Sequence, residues 1–349
     1  MGFNRVTGLR EHNRQQILWH LLNHGACSRA ALAEHTGLSA VTATSITTEL
    51  CEEQFLTEIR KTEGTTGRPA GIYDLHPALG TLVGVDCQPG ELCVLTSDVR
   101  GNHRQERVYS VDSPQDLSVA LRTAISTIST SVPHGALRHV TVSFPAPISP
   151  DGQVQEPNSL PELDLPACAQ EVLATGADWV VENDANLRAL AEKHYGAAVT
   201  EDNFMVLAQR RSGVGLGLYL GGTMYRGSTG LAGELSLAQW PDQGKPVQIE
   251  RLPPAARNDA LVYLLGGIAV SLDLGLLVLT RDTQADFLDF GLELQSRSSR
   301  LRVVHSPLGS EGSALGALTA SRLRYAQSVL EATARPASRH ATVLSTPNP

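Results

Sequence analysis

Apolar residues recur at helical spacing through the first fifty positions, then give way to the alternating and continuous apolar runs of strands. Ile17, Leu18, Leu21 and Leu22 form a stripe that stops before Gly25, predicting a helix over 13–23. Ser28 stands where an N-cap belongs, ahead of a second helical run over 29–36. Gly37 permits a tight turn, Leu38 fills the space between the helices, and Ser39 caps a third helix. In that helix Ala43, Ile46, Thr47 and Leu50 fall on one face and are expected to pack inward. Two short strand patterns, around Glu58-Ile59 and Tyr73-Asp74-Leu75, then flank a glycine-rich tip ending in Gly67-Arg68-Pro69.

Beyond residue 76 strands alternate with helices, the mark of an α/β fold. Strands are expected near 82–85, 92–96, 139–143 and 179–181, with helices over 117–128 and 185–195. The mixture repeats with strands near 204–208 and 216–220, then a buried helix from Ala260 to about Asp273. A turn at Gly275, a strand over 276–280 and a closing helix over 312–332 follow. The chain therefore divides into 1–76, 77–197, 198–334 and a polar, proline-bearing tail over 335–349.

Composition narrows the function classes. At 349 residues, 42% hydrophobic and 18% charged, the chain suits two or three globular domains with sizeable cores. A net charge of −8 excludes coating of nucleic acid by bulk charge, but not a local DNA-reading module. The five cysteines are scattered and never spaced Cys-x-x-Cys, which reads as reduced thiols in a cytoplasmic protein. The apolar stretch from Ala260 to Thr280 contains Asp273 and three glycines, so it reads as buried core and not as a membrane span.

The order of cap, turn, plug, second cap and basic tip over 28–69 points to a winged helix-turn-helix for double-stranded DNA. Its outward face would present Ala40, Val41, Thr44, Ser45 and Thr48, with Ser28, Arg29 and Ser39 at the helix starts. That face lacks Arg, Lys, Asn and Gln, so base reading would rest on methyl contacts and short hydroxyls. Lys61, Gly67, Arg68 and Pro69 would form the wing, with Arg68 suited to a narrow minor groove. The competing reading is a small helical interaction domain.

From Asn13 to Ala332 the chain resembles the ROK family of repressors and sugar kinases. The resemblance rests on Gly67-Arg68-Pro69, on Pro145-Ala146-Pro147 with Pro157-Asn158, and most specifically on Val181-Glu182-Asn183-Asp184-Ala185-Asn186. Ser212-Gly213-Val214-Gly215-Leu216-Gly217 and Ala232-Gly233-Glu234-Leu235 continue it. It implies a winged helix-turn-helix followed by a two-lobed, hexokinase-like domain. A sugar would be gripped by Asn158, Asn183, Asp184 and Glu234, and Asp184 matches the general base of the family's kinases. On the residues alone, Asn183-Asp184 also reads as a strand-end turn with a helix cap at Asp184.

Departures from the family pattern are equally specific. Its kinases hold ATP phosphates on an Asp-x-Gly-x-Thr turn, whereas Asp86 here leads into Cys87-Gln88-Pro89. Arg281-Asp282 stand where a second glycine pair would meet adenosine. Leu237 replaces a zinc-binding His, and no cysteine follows Cys168, so neither a zinc site nor a cofactor is expected. The segment between Glu234 and Leu276 is also shorter than in the family. The expectation is a dimeric, non-enzymatic repressor governed by a sugar or sugar-phosphate effector. The alternatives are a constitutive DNA-binding dimer and an active sugar kinase.

Overall fold

The computed structural model describes residues 3–59, 71–242, 244–281, 294 and 300–334. The wing tip and its Lys61, Gly67, Arg68 and Pro69 lie outside the described residues, as do Asp282 and the tail over 335–349. The chain opens with α1 (Phe3–His24), β1 (Cys27–Ser28), α2 (Arg29–Thr36), α3 (Ala40–Glu52), β2 (Leu56–Ile59) and β3 (Ile72–Leu75). The Ser28 hydroxyl accepts the Ala31 amide at 3.2 Å, and Ser39 that of Thr42 at 3.1 Å, so each helix start has its cap. Gly37 turns the chain between α2 and α3 at φ 70°, a left-handed conformation that only glycine adopts readily. The three strands form an antiparallel sheet in the order β1-β3-β2.

The next elements are β4 (Thr81–Gln88), β5 (Glu91–Asp98), β6 (Gln105–Ser110), α4 (Pro114–Ser131), β7 (Leu137–Phe144), α5 (Leu165–Ala174), β8 (Asp178–Asn183) and α6 (Asp184–Tyr195). They build a sheet ordered β6-β5-β4-β7-β8, in which β4, β7 and β8 run parallel. The chain continues through β9 (Phe204–Arg210), β10 (Gly213–Leu220), β11 (Thr223–Tyr225), β12 (Gln239–Asp242), β13 (Lys245–Gln248), α7 (Pro254–Ser271), β14 (Leu276–Arg281), β15 (Arg302–His305) and α8 (Gly312–Ala334). The second large sheet, β11-β10-β9-β14-β15, repeats the topology of the first strand for strand. The short segment after Glu234 therefore holds the β12–β13 hairpin and α7 while the five-stranded sheet stays whole. No helix among the described residues is long and apolar enough to cross a membrane, and the Ala260–Thr280 stretch folds as α7 and β14.

Strands β9 and β14 bury both faces, as in other parallel sheets. Met205, Leu207, Leu277 and Leu279 pack toward α7, whereas Phe204, Val206, Leu276 and Val278 pack toward α6 and α8. Helices α6 and α8 form a middle layer, α8 against β4 and β7 and α6 against β9 and β10. This position buries Asp184, Asn186, Arg188 and Glu192 of α6, each with polar partners. Arg188, for example, donates to the carbonyls of Leu308 and Gly309 at 3.0 and 2.8 Å.

Two glycines set how closely that layer packs. A Cβ on Gly84 would lie 2.2 Å from the Leu318 nitrogen, and one on Gly316 would lie 1.9 Å from the Leu187 oxygen. Ala at an open helical position stabilises by about 1 kcal/mol relative to Gly. At Gly316 the clash is with backbone, so Gly316→Ala is expected to destabilise by about 1–3 kcal/mol. Denaturant unfolding checks the sign, and a raised midpoint would contradict the packing described.

Candidate functional site

Four strand ends meet at the centre of the molecule. The carboxyl ends of β4, β7, β8 and β9 supply Asp86 and Gln88, Phe144 leading into Pro145-Ala146, Asn183, and Arg210. Open α/β sheets place ligand crevices at such ends. A small cleft, open to solvent, is lined there by Pro145, Ala146, Asn183, Asp184, Arg210, Ser212, Glu234 and Glu250, among others.

Of the four residues expected on a sugar, three line this cleft. Asn183, not Asp184, caps α6: its Oδ1 accepts the Asn186 amide at 3.1 Å while its Nδ2 donates to the Ala146 carbonyl at 3.1 Å. Glu234 accepts the Ser236 amide at 3.3 Å and the Ser236 hydroxyl, and burial raises its pKa, Glu250 and Asp184 adding to the rise. Asn158 is held apart from the lining. Its Oδ1 accepts the Leu160 amide at 2.8 Å, and its neighbours Pro157 and Ser159 reach the cleft instead.

Asp184 sits in a buried network that sequence reasoning missed. Its Oδ2 accepts from Gln88 Nε2 at 3.1 Å and lies 3.9 Å from Arg210 Nε. Arg210 forms an ion pair with Asp86 and donates to Ser313 Oγ, while Ser212 donates to Gln88 Oε1 at 2.9 Å. Gln88 reads from sequence only as a lost glycine, yet it donates to the Asp184 carboxylate and accepts from the Ser212 hydroxyl. Arg210 had one available signal: it and Arg211 end an apolar strand immediately before the Gly213 loop. Burial raises the pKa of Asp184, opposed first by Arg210 and reinforced by Asp86. The charged residues lining the cleft are thus three carboxylates, Asp184, Glu234 and Glu250, and one guanidinium already paired with Asp86. Such a lining suits a ligand with many hydroxyls and disfavours one that carries phosphate.

The second candidate surface is α3. Ala43, Ile46, Thr47 and Leu50 are buried, and Ala40, Val41, Thr44, Ser45 and Thr48 are exposed, Val41 to 81%. Arg29 lies over the Tyr73 ring at 4.5 Å and donates to Thr48 Oγ1 at 3.2 Å, so it orients this face. Ser28 and Ser39 act as helix caps.

The chain as a whole is similar to several known proteins. Residues 83–246 match the ROK family model. The chain is 28% identical over 235 residues to the xylose repressor of Bacillus subtilis (strain 168), covering 66% of this chain and 60% of that protein. The chain thus spans about 60% of the length of the curated relatives it matches. A crystal structure of a ROK family transcriptional regulator, described as a homologue of the E. coli Mlc protein, superposes with a TM-score of 0.64 at 18% identity. It covers 94% of this chain and 99% of that one. A ROK hexokinase from Thermus thermophilus superposes with a TM-score of 0.54 at 22% identity, over 70% of this chain and 98% of that one. These two likenesses show the fold.

The raised pKa of Asp184 has a testable sign. Its carboxyl supports folding while protonated, and that support is lost as pH rises through the folded-state value. Asp184→Asn removes this loss, so the stability of the variant relative to the native chain is expected to rise as pH increases above the ordinary aspartate value of about 4. Thermal unfolding at increasing pH checks it, and a falling difference would contradict the assignment.

Proposed function

We propose, from the match of residues 83–246 to the ROK family model, that the chain is a sugar-responsive, DNA-binding repressor of transcription. In this reading residues 1–76 are a winged helix-turn-helix, and residues 77–197 and 198–334 are the lobes of a hexokinase-like domain that performs no phosphoryl transfer. The observation that carries it is the outward face of α3, where Val41, Thr44, Ser45 and Thr48 lie exposed beside two capped helix starts and a three-stranded sheet. Methyls and hydroxyls of this kind suit the major groove, with thymine methyl groups as apolar targets. Lys61, Gly67, Arg68 and Pro69 would supply the wing. Two copies of the chain would read two half-sites of one operator, in the cytoplasm.

The effector would occupy the cleft lined by Asn183, Asp184 and Glu234, with Asn158 reaching it only after releasing the Leu160 amide. The carboxylates of that cleft favour an unphosphorylated sugar over a sugar phosphate. The name of the Bacillus subtilis relative, xylose repressor, makes D-xylose the first compound to try. Against catalysis stand Gln88, hydrogen-bonded to the carboxylate that would serve as general base, and Pro89, which offers phosphate no amide.

Selection of bound duplexes from a random pool, with and without D-xylose, tests the reading. Enrichment of one sequence with two half-sites, weakened by the sugar, is expected; failure to retain any duplex would overturn it. Arg68→Ala is expected to lower affinity for the selected site about tenfold, equivalent to about 1.4 kcal/mol. It should also relax preference for A·T pairs beside the half-site. A gel-shift titration reads both effects, and unchanged affinity would remove the wing from the groove.

A further inference from the structure

The DNA-reading module and the rear of the molecule share one core. Ile17, Leu18, Leu21 and Leu22 of α1 pack with Leu32, Ile46, Leu50, Leu56 and Leu75, and the same cluster takes in Val99 and Ala326, with Tyr325 and Val329 against it. Arg322 of α8 donates to the Leu22 carbonyl at 3.4 Å. Asp74 of β3 forms an ion pair with Arg100, which also holds the buried Asp98 at 3.2 Å.

Helix α8 is in turn fixed to the first sheet. Ser321 donates to the Val83 carbonyl at 2.8 Å and lies 2.9 Å from Thr141 Oγ1, both in the interior, and Gly84 brings the helix onto β4. The front module, the first sheet and α8 therefore behave as one body, because sliding α8 would break buried hydrogen bonds.

The second sheet meets that body through the apolar cluster of Phe204, Val206, Leu276 and Val278 against α6 and α8, and at its polar end through Arg210. From the end of β9 its guanidinium reaches Asp86 on β4, Asp184 on α6 and Ser313 in the first turn of α8. Ser313 is fully buried and its hydroxyl also lies 3.4 Å from the Asp184 carbonyl. From this turn α8 runs on to Ala326 in the core beneath α1, about 20 Å at ~1.5 Å per residue.

We propose that Arg210 is the coupling residue of this regulator, a tie between the lobes that a sugar loosens by claiming Asp184. The inference rests on the sugar-responsive reading above and adds its route. Asp184 has one set of acceptor sites, now used by Gln88, by the Ala185 amide and by the nearby guanidinium. A sugar hydroxyl on that carboxylate displaces Gln88 and draws the charge away from Arg210. The second lobe then reseats against the body that carries the DNA-reading module. The sugar regulates because it prefers the untied arrangement, and the tie in turn opposes the sugar. Arg210 acts through Asp184 and Ser313; it is a positioning residue.

The full-length native chain, Arg210→Gln and Ser313→Ala are compared. Arg210→Gln leaves two buried carboxylates without their guanidinium, so Ser313→Ala, which removes one hydroxyl, serves as the gentler variant. In the absence of ligand, amide hydrogen exchange over 86–90 and 210–214 is expected to rise in both variants while α1 keeps its protection. Calorimetry with D-xylose alone is expected to show binding about threefold tighter in Arg210→Gln, because the competing tie is gone. The drop in operator affinity that D-xylose causes in the native chain is expected to shrink to within about twofold in Arg210→Gln and to be partial in Ser313→Ala. Unchanged exchange at the cleft, or an undiminished sugar effect in both variants, overturns the proposal. A native chain that binds neither DNA nor D-xylose overturns the sugar-responsive reading instead, and the exchange experiment still decides whether Arg210 ties the lobes.

Discussion

A buried guanidinium between two buried aspartates governs the centre of this molecule. Arg210 pairs with Asp86 and stands 3.9 Å from Asp184, and none of the three groups is more than slightly exposed. Removing one partner of a buried ion pair typically costs about 3–5 kcal/mol, because the remaining charge keeps its desolvation penalty. Two carboxylates share a single guanidinium here, and burial raises the pKa of Asp184, with Arg210 opposing the rise and Asp86 adding to it. A nucleotide phosphate entering this site would meet both aspartates and have to displace Gln88. The same groups tie the end of β9 to β4 and to the first turn of α8.

The fold makes that arrangement available by repeating itself. Two sheets of identical strand order point the carboxyl ends of β4 and β9 toward each other, with α6 and α8 between them. Gln88 at the end of β4 and Ser212 after β9 face each other across the cleft and touch at 2.9 Å. Close packing of the middle layer, permitted at Gly84 and Gly316, keeps the approach short. The helix whose first turn hydrogen-bonds Arg210 is also the helix on which the front module rests.

Local features were legible in the sequence and long-range partners were not. Ser28, Gly37 and Ser39 announced the two helices because caps and left-handed turns are decided within a few residues. The inward and outward faces of α3 followed from period alone. An apolar stripe does not say what covers it, so the docking of α1 on α8 was invisible. Edge strand β6 went unread because Gln105, Glu106 and Arg107 show no alternation on an exposed edge. At the site, Asn183, Asp184 and Glu234 carried a motif, and the structure brings them to one cleft. Asn158 did too, but its side chain turns back on the Leu160 amide. Gln88 registered as a missing glycine because a motif describes what is absent; its bond to Asp184, 96 residues away, exists only in three dimensions.

In the proposed reading Gln88, Arg210 and Asp86 fill one side of the cleft with their own contacts and leave room for a sugar and not for a nucleotide. Titrating the full-length protein with magnesium ATP in a calorimeter, with and without saturating D-xylose, tests this most directly. The account requires no saturable heat from ATP under either condition. A saturable ATP isotherm, abolished when Gln88 or Arg210 is enlarged, would contradict it.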